Sequence, residues 1–149
     1  MQPFQETAPV TCDADFDTSH VRGKTAIVTG GANGMGEAYV RHLVAAGAFV
    51  VFGDVDEQAG KQIESELNGN AQFVVCDVTQ WKHQLAMFKH ALANSPKKRV
   101  DIVVANAGIS GFDDVFHNKP ELEEPEEPGL QILKVNGIGV LYTSKLALH

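Results

Sequence analysis

The sequence predicts an α/β fold, a doubly wound parallel sheet with helices on both faces. Three observations carry this. Four short, continuously apolar runs recur along the chain. Each is followed by a stretch whose apolar residues return at helical spacing. A glycine-rich turn joins the first run to the first such stretch. Uninterrupted apolar runs belong to strands buried on both faces, as in sheets built from βαβ units. Crossovers of that kind are right-handed, which fixes the winding.

The elements follow in order. Residues 1–21 are polar and turn-rich, with Asp13, Asp15 and Asp17 alternating, and read as an N-terminal extension. Residues 22–149 form one domain. Thr25 to Val28 is the first strand, stopped by Gly30-Gly31. Met35, Ala38, Tyr39, His42, Leu43 and Ala46 mark one face of a helix ended by Gly47. Phe49 to Phe52 is the second strand. Ala59, Ile63 and Leu67 mark the second helix, closed by Asn68-Gly69. Phe73 to Cys76 is the third strand, and Trp81, Leu85, Phe88 and Leu92 form the stripe of a third helix. Val100 to Ala105 is the fourth strand. Gly111 to Gly129, with Glu121, Glu123, Glu124, Glu126 and Glu127, reads as a solvated loop, and Leu130 to His149 as a fourth helix.

Composition narrows the function. With 12 Lys+Arg against 19 Asp+Glu, the net charge of -7 excludes the basic footprint of a nucleic-acid binder. No apolar run is long enough to cross a bilayer. The N-terminus has neither the basic nor the apolar region of a secretory signal, and Cys12 and Cys76 make no disulfide framework. A cytoplasmic setting is therefore expected. The histidines His20, His42, His83, His90, His117 and His149 form no i, i+4 pair, so no metal site is expected.

The chemistry sits in Thr29-Gly30-Gly31-Ala32-Asn33-Gly34-Met35-Gly36, between the first strand and the first helix. A dinucleotide diphosphate needs backbone N–H donors at a helix N-terminus with no Cβ in the way. Gly30 permits the tight turn, Gly34 close approach and Gly36 packing of helix on sheet. Thr29, Asn33 and Met35 complete the candidate contacts. Asp54 ends the second strand, where a carboxylate accepts hydrogen bonds from an adenosine ribose and repels a 2′-phosphate. The following residues Val55, Asp56 and Glu57 offer no cation to replace it. The expected cofactor is NAD rather than NADP. Asp56 is the better candidate for capping the second helix.

From about Arg22 onward the chain resembles the short-chain dehydrogenases/reductases. The T-G-x-x-x-G-x-G spacing of Thr29, Gly30, Gly34 and Gly36 is that family's variant of the dinucleotide turn. Asp77-Val78 resembles the pair that contacts adenine, Asn106-Ala107-Gly108 the motif beside the cofactor, and Val135-Asn136 the helix pair whose Asn is catalytic. The resemblance implies a Rossmann-type domain, NAD as cofactor and a small-molecule alcohol or ketone as partner; the apolar fourth helix leaves a homo-oligomer open. It assigns Asn136 a water held through its main-chain carbonyl in a proton relay. Ala105 departs from the family in standing where many members have another Asn. A methyltransferase shares the glycine turn and the acidic strand end but leaves Asn106-Ala107-Gly108 and Val135-Asn136 unexplained. The N-terminal extension and acidic insert are similar to those of fungal dehydrogenases of secondary-metabolite alcohols.

The family's catalytic Ser and Tyr-x-x-x-Lys pair are not in these 149 residues. Tyr142 and Lys145 do not replace them, because a spacing of three does not stack the pair as a spacing of four does. The expectation is a domain truncated after the fourth strand and its helix, binding NAD without turnover, with the fourth strand an aggregation-prone edge. The alternative is a non-catalytic NAD-binding protein that associates with a full-length relative.

Overall fold

The computed structural model describes residues 17–111, 124 and 126–149. Four strands, β1 (Thr25–Thr29), β2 (Phe49–Asp54), β3 (Ala71–Val75) and β4 (Ile102–Val104), alternate with helices α1 (Gly34–Ala45), α2 (Glu57–Glu66) and α3 (Trp81–Asn94). All pairings are parallel and the spatial order is β3-β2-β1-β4. This is the doubly wound, Rossmann-like sheet that the alternation predicts.

Alternation along the central strands divides the core in two. Ala26 and Val28 of β1 and Val50 and Phe52 of β2 join Val40 of α1 and Ile63 of α2 on one face. Ile27 and Val51 face the other way, onto Met87, Phe88 and Ala91 of α3 and onto Val135. Both faces of β1 and β2 are thus dry, which is why those strands read as unbroken apolar runs. Strand β4 is the edge of this sheet, and its three residues are half-buried.

Two helix faces differ from the sequence expectation: of the expected inward residues, Met35, Ala38, Tyr39 and His42 of α1 and Trp81 and Leu92 of α3 are exposed. In α1 the residues turned inward are Gly36 and Val40, with Leu43 and Val44 packed beside them, while Met35 and Tyr39 are exposed. The rotation is set by Gly36, whose backbone presses on Gly30 and leaves no room for a side chain. In α3 the buried residues are Gln84, Met87, Phe88 and Ala91, while Trp81 and Leu92 are exposed. There a polar residue, Gln84, holds a core position.

The last helix is interrupted. A short α4 (Gln131–Leu133) runs into a π-helical turn, Lys134–Gly139, and then into α5 (Val140–Ala147). Asp56 caps α2, its carboxylate accepting the Ala59 N–H at 2.9 Å. Residues 1–16 of the polar extension, with Cys12, and residues 112–123 and 125 of the acidic segment, with His117, Glu121 and Glu123, lie outside the described residues. No helix among the described residues is long and apolar enough to cross a membrane.

Candidate dinucleotide site

In an open parallel sheet the crevice lies beyond the carboxyl ends of the strands, where neighbouring connections leave in opposite directions. Here that point falls between β1 and β4. A cleft of about 560 Å³ opens there, lined by Gly30, Asn33, Gly34, Met35, Gly36, Asp54, Asp77, Val78, Asn106, Ala107 and Gly108 among others. Eleven of the twelve residues that sequence reasoning named for the cofactor therefore share one cavity. The twelfth, Thr29, lies underneath it. Its hydroxyl accepts the N–H groups of Asn106 (3.0 Å) and Ala107 (3.1 Å), so it shapes the floor without reaching the cavity.

The glycines do separable work. Gly30 has φ +65°, and a Cβ on it would sit 2.7 Å from the Ala107 Cα. A Cβ on Gly36 would sit 1.8 Å from the Gly30 carbonyl oxygen. Gly34, with φ +55°, has nothing within 4 Å of its would-be Cβ, so it fronts open space. The first turn of α1 is presented bare, since the Asn33 side chain makes no cap hydrogen bond. Helix N-termini carry free N–H donors and partial positive charge. A cradle that only a missing Cβ keeps open, beside uncapped helix donors, fits a diphosphate.

Asp54 is anchored rather than loose. One carboxylate oxygen accepts the Ala32 N–H at 3.0 Å, and the other accepts Val55 (2.7 Å) and Asp56 (3.2 Å). A carboxylate offers about four acceptor sites, so this arrangement leaves room for a further donor. Asp77 uses one oxygen to accept the Thr79 N–H (2.9 Å) and hydroxyl (2.7 Å). Cys76 also lines the cleft; burial, then the Asp77 and Asp54 carboxylates, push its thiol up to about 12.

Asn106 donates from its side-chain amide to the carbonyl oxygens of Thr29 and Gly30, both at 3.0 Å. Asn136, in the π-helical turn, is outside the cavity lining. Its side chain clamps the Ile109 backbone, accepting the N–H and donating to the carbonyl, both at 2.9 Å. Both polar ends of the side chain are thus engaged by Ile109. Tyr142 is likewise away from the cleft and packs edge-on against Trp81, ring centroids 5.3 Å apart. Gln131, Val55 and Ile109, which were not among the expected contacts, line the cavity as well, as does Val135 of the Val135-Asn136 pair.

The short chain dehydrogenase family matches residues 24–149. A 5'-hydroxyaverantin dehydrogenase of Dothistroma septosporum is 37% identical over 148 residues, spanning 92% of this chain and 48% of that protein. An NADP-dependent dehydrogenase of Phoma sp. is 34% identical over 148 residues, 95% of this chain and 43% of that protein. The solved structure of 3-ketoacyl-(acyl-carrier-protein) reductase from Brucella melitensis, complexed with NADH, matches with a TM-score of 0.70 and 32% identity. It covers 84% of this chain and 49% of that one. The chain thus spans about half the length of the relatives it matches.

Proposed function

This chain belongs to the short chain dehydrogenases, and on that premise we propose that it is the NAD-binding part of an alcohol dehydrogenase/ketoreductase. The partner is a small-molecule alcohol or ketone, and relatives such as the 5'-hydroxyaverantin dehydrogenase favour a role in fungal secondary metabolism. The observation that carries the reading is the bare N-terminus of α1 and the Asp54 carboxylate facing one cleft.

In this reading the N–H groups around Gly34, Met35 and Gly36 hold the diphosphate, with Gly30 and Asn33 shaping the turn beneath it. Asp54 accepts the adenosine ribose hydroxyls, and Asp77 with Val78 meets the adenine. Asn106, Ala107 and Gly108 bring backbone against the middle of the cofactor. Bound NAD accepts or supplies a hydride. Asn136 contributes by its main-chain carbonyl, which orients a water for proton transfer, while its side chain holds the loop at Ile109. The 149 residues hold no Tyr four places before a Lys, so the chain by itself binds without turnover.

Asp54 decides the cofactor. Its fixed negative charge opposes a 2′-phosphate, and a charge-assisted bond to ribose is among the stronger kinds. Titration calorimetry of the chain should show NAD bound more tightly than NADP. Asp54→Asn should weaken NAD by roughly tenfold and narrow the preference. Tighter binding of NADP by the parent chain overturns the cofactor assignment, and hydride transfer above background by these 149 residues overturns the assignment of binding alone.

A further inference from the structure

Gln84 is fully buried on the core face of α3, where an apolar residue would be expected. Its side-chain amide donates to the Val78 carbonyl at 2.7 Å and to the Gly139 carbonyl at 2.9 Å. Its carbonyl accepts the Thr143 hydroxyl at 2.7 Å. The orientation is not arbitrary. Turned over, the amide oxygen would face the two carbonyl oxygens and both of those bonds would be lost, while the Thr143 hydroxyl could accept from the NH2 instead.

The two carbonyls it joins belong to different segments that meet beside the cleft. Val78 lies on the loop assigned to adenine. Gly139 closes the π-helical turn that carries Asn136, and Asn136 in turn clamps Ile109 in the cavity wall. The same seam is packed as closely as backbone allows: a Cβ on Gly139 would sit 2.9 Å from Val78 Cγ2. A π-turn shifts the register of helical hydrogen bonding, which opens its carbonyls to partners from outside the helix. Gln84 supplies one of them, and the Thr143 hydroxyl, 2.9 Å from the same oxygen, stands beside it.

We propose that Gln84, seconded by Thr143, is a positioning residue that couples the adenine loop to the π-turn and so sets the Asn136–Ile109 end of the cofactor cleft. The assignment rests on the NAD reading above for the ligand, though not for the coupling. Gln84 touches no cofactor; it acts through Gly139 and Asn136. A residue that merely held the fold would lower stability and weaken all nucleotides alike. A positioning residue separates the two ends of the cleft.

The test titrates the chain and its Gln84→Met variant, similar in length but unable to make these bonds, with NAD and with ADP, well below the melting temperature. ADP reports the adenine and diphosphate end alone. NAD affinity should fall about fivefold or more while ADP changes by less than about twofold. Amide exchange at Ile109, whose N–H is held by Asn136, should quicken roughly tenfold. Equal weakening of both nucleotides, or unchanged exchange at Ile109, overturns the proposal. If Gln84→Met does not fold, Thr143→Val carries the same comparison, and Thr143→Ser, which keeps the hydroxyl, should restore the parent NAD-to-ADP ratio. A parent chain that binds neither nucleotide refutes the NAD reading, and exchange at Ile109 then still decides the coupling.

Discussion

Gly36→Ala tests most sharply how the turn is built. A methyl there would start 1.8 Å from the Gly30 carbonyl oxygen, 2.7 Å from its carbon and 2.6 Å from Asn106 Nδ2. Ordinary contact begins at 3.4 Å, so α1 and the turn must part along that line by about 1.6 Å. The Asn106 bonds to Thr29 and Gly30 would break with that movement. Two neutral hydrogen bonds at about 1 kcal/mol each, with about 1–3 kcal/mol for overpacking, give a loss of about 3–5 kcal/mol. For a domain of this size the melting temperature should fall by roughly 10–15 °C. Gly34→Ala is the control. Its methyl meets no protein atom, and the left-handed φ costs about 1–2 kcal/mol, a fall of a few degrees. That methyl stands on the cleft, however, so NAD binding should weaken by more than roughly tenfold. Thermal melts and calorimetry on the pair separate folding from binding. A Gly36→Ala protein melting within about 2 °C of the parent, or a Gly34→Ala protein binding NAD like the parent, refutes the reasoning.

Two further predictions concern ionisable groups. The Thr25 N–H bond, then the Arg99 and Lys24 charges, hold the Asp101 carboxyl below its ordinary value of 3.8. Its stabilisation is therefore complete above pH 3.8 and lost as pH falls through the lowered value. Urea midpoints measured from neutral pH down to about pH 2 should drop less steeply for Asp101→Asn than for the parent, and equal slopes would count against the assignment. Cys76 should resist alkylation at about pH 8 in the folded chain and react on unfolding, although it lines the cleft. Mass spectrometry locates the adduct, and modification at the rate of a free thiol would show that the thiol is not held protonated.

The strands and the glycine turn were legible because what fixes them is local. A run such as Phe49 to Phe52 is apolar at every position only if both faces are covered, and a bare helix N-terminus needs its glycines in sequence beside it. Helix rotation was harder to read. Counting apolar residues put Met35 and Tyr39 inward in α1 and Trp81 and Leu92 inward in α3. The inward positions instead include Gly36 and Gln84, one with no side chain and one with a polar side chain, which no hydrophobic stripe reveals. Their placement depends on residues far along the chain: Gly36 on Asn106, and Gln84 on Gly139, 55 positions away. Nothing in the apolar pattern marks the π-turn, within which Gly137 and Gly139 lie.

The polar side chains around the cleft share one physical reason. Where β1 and β4 end and their loops part, backbone groups lose the ladder partners that strands supply. Thr29 accepts two N–H groups of the β4 loop, and Asn106 returns two bonds to the carbonyls of the β1 loop. Asn136 takes both groups of Ile109, and Gln84 takes the carbonyls of Val78 and Gly139. Each side chain substitutes for a missing strand or helical turn. The surface left for a cofactor at the centre of the cleft is therefore largely backbone, and side-chain chemistry at its rim falls to Asp54 and Asp77. Thr29 and Gln84 thus shape the cradle without lining it. Their removal should change the shape of the cradle before it changes its charge.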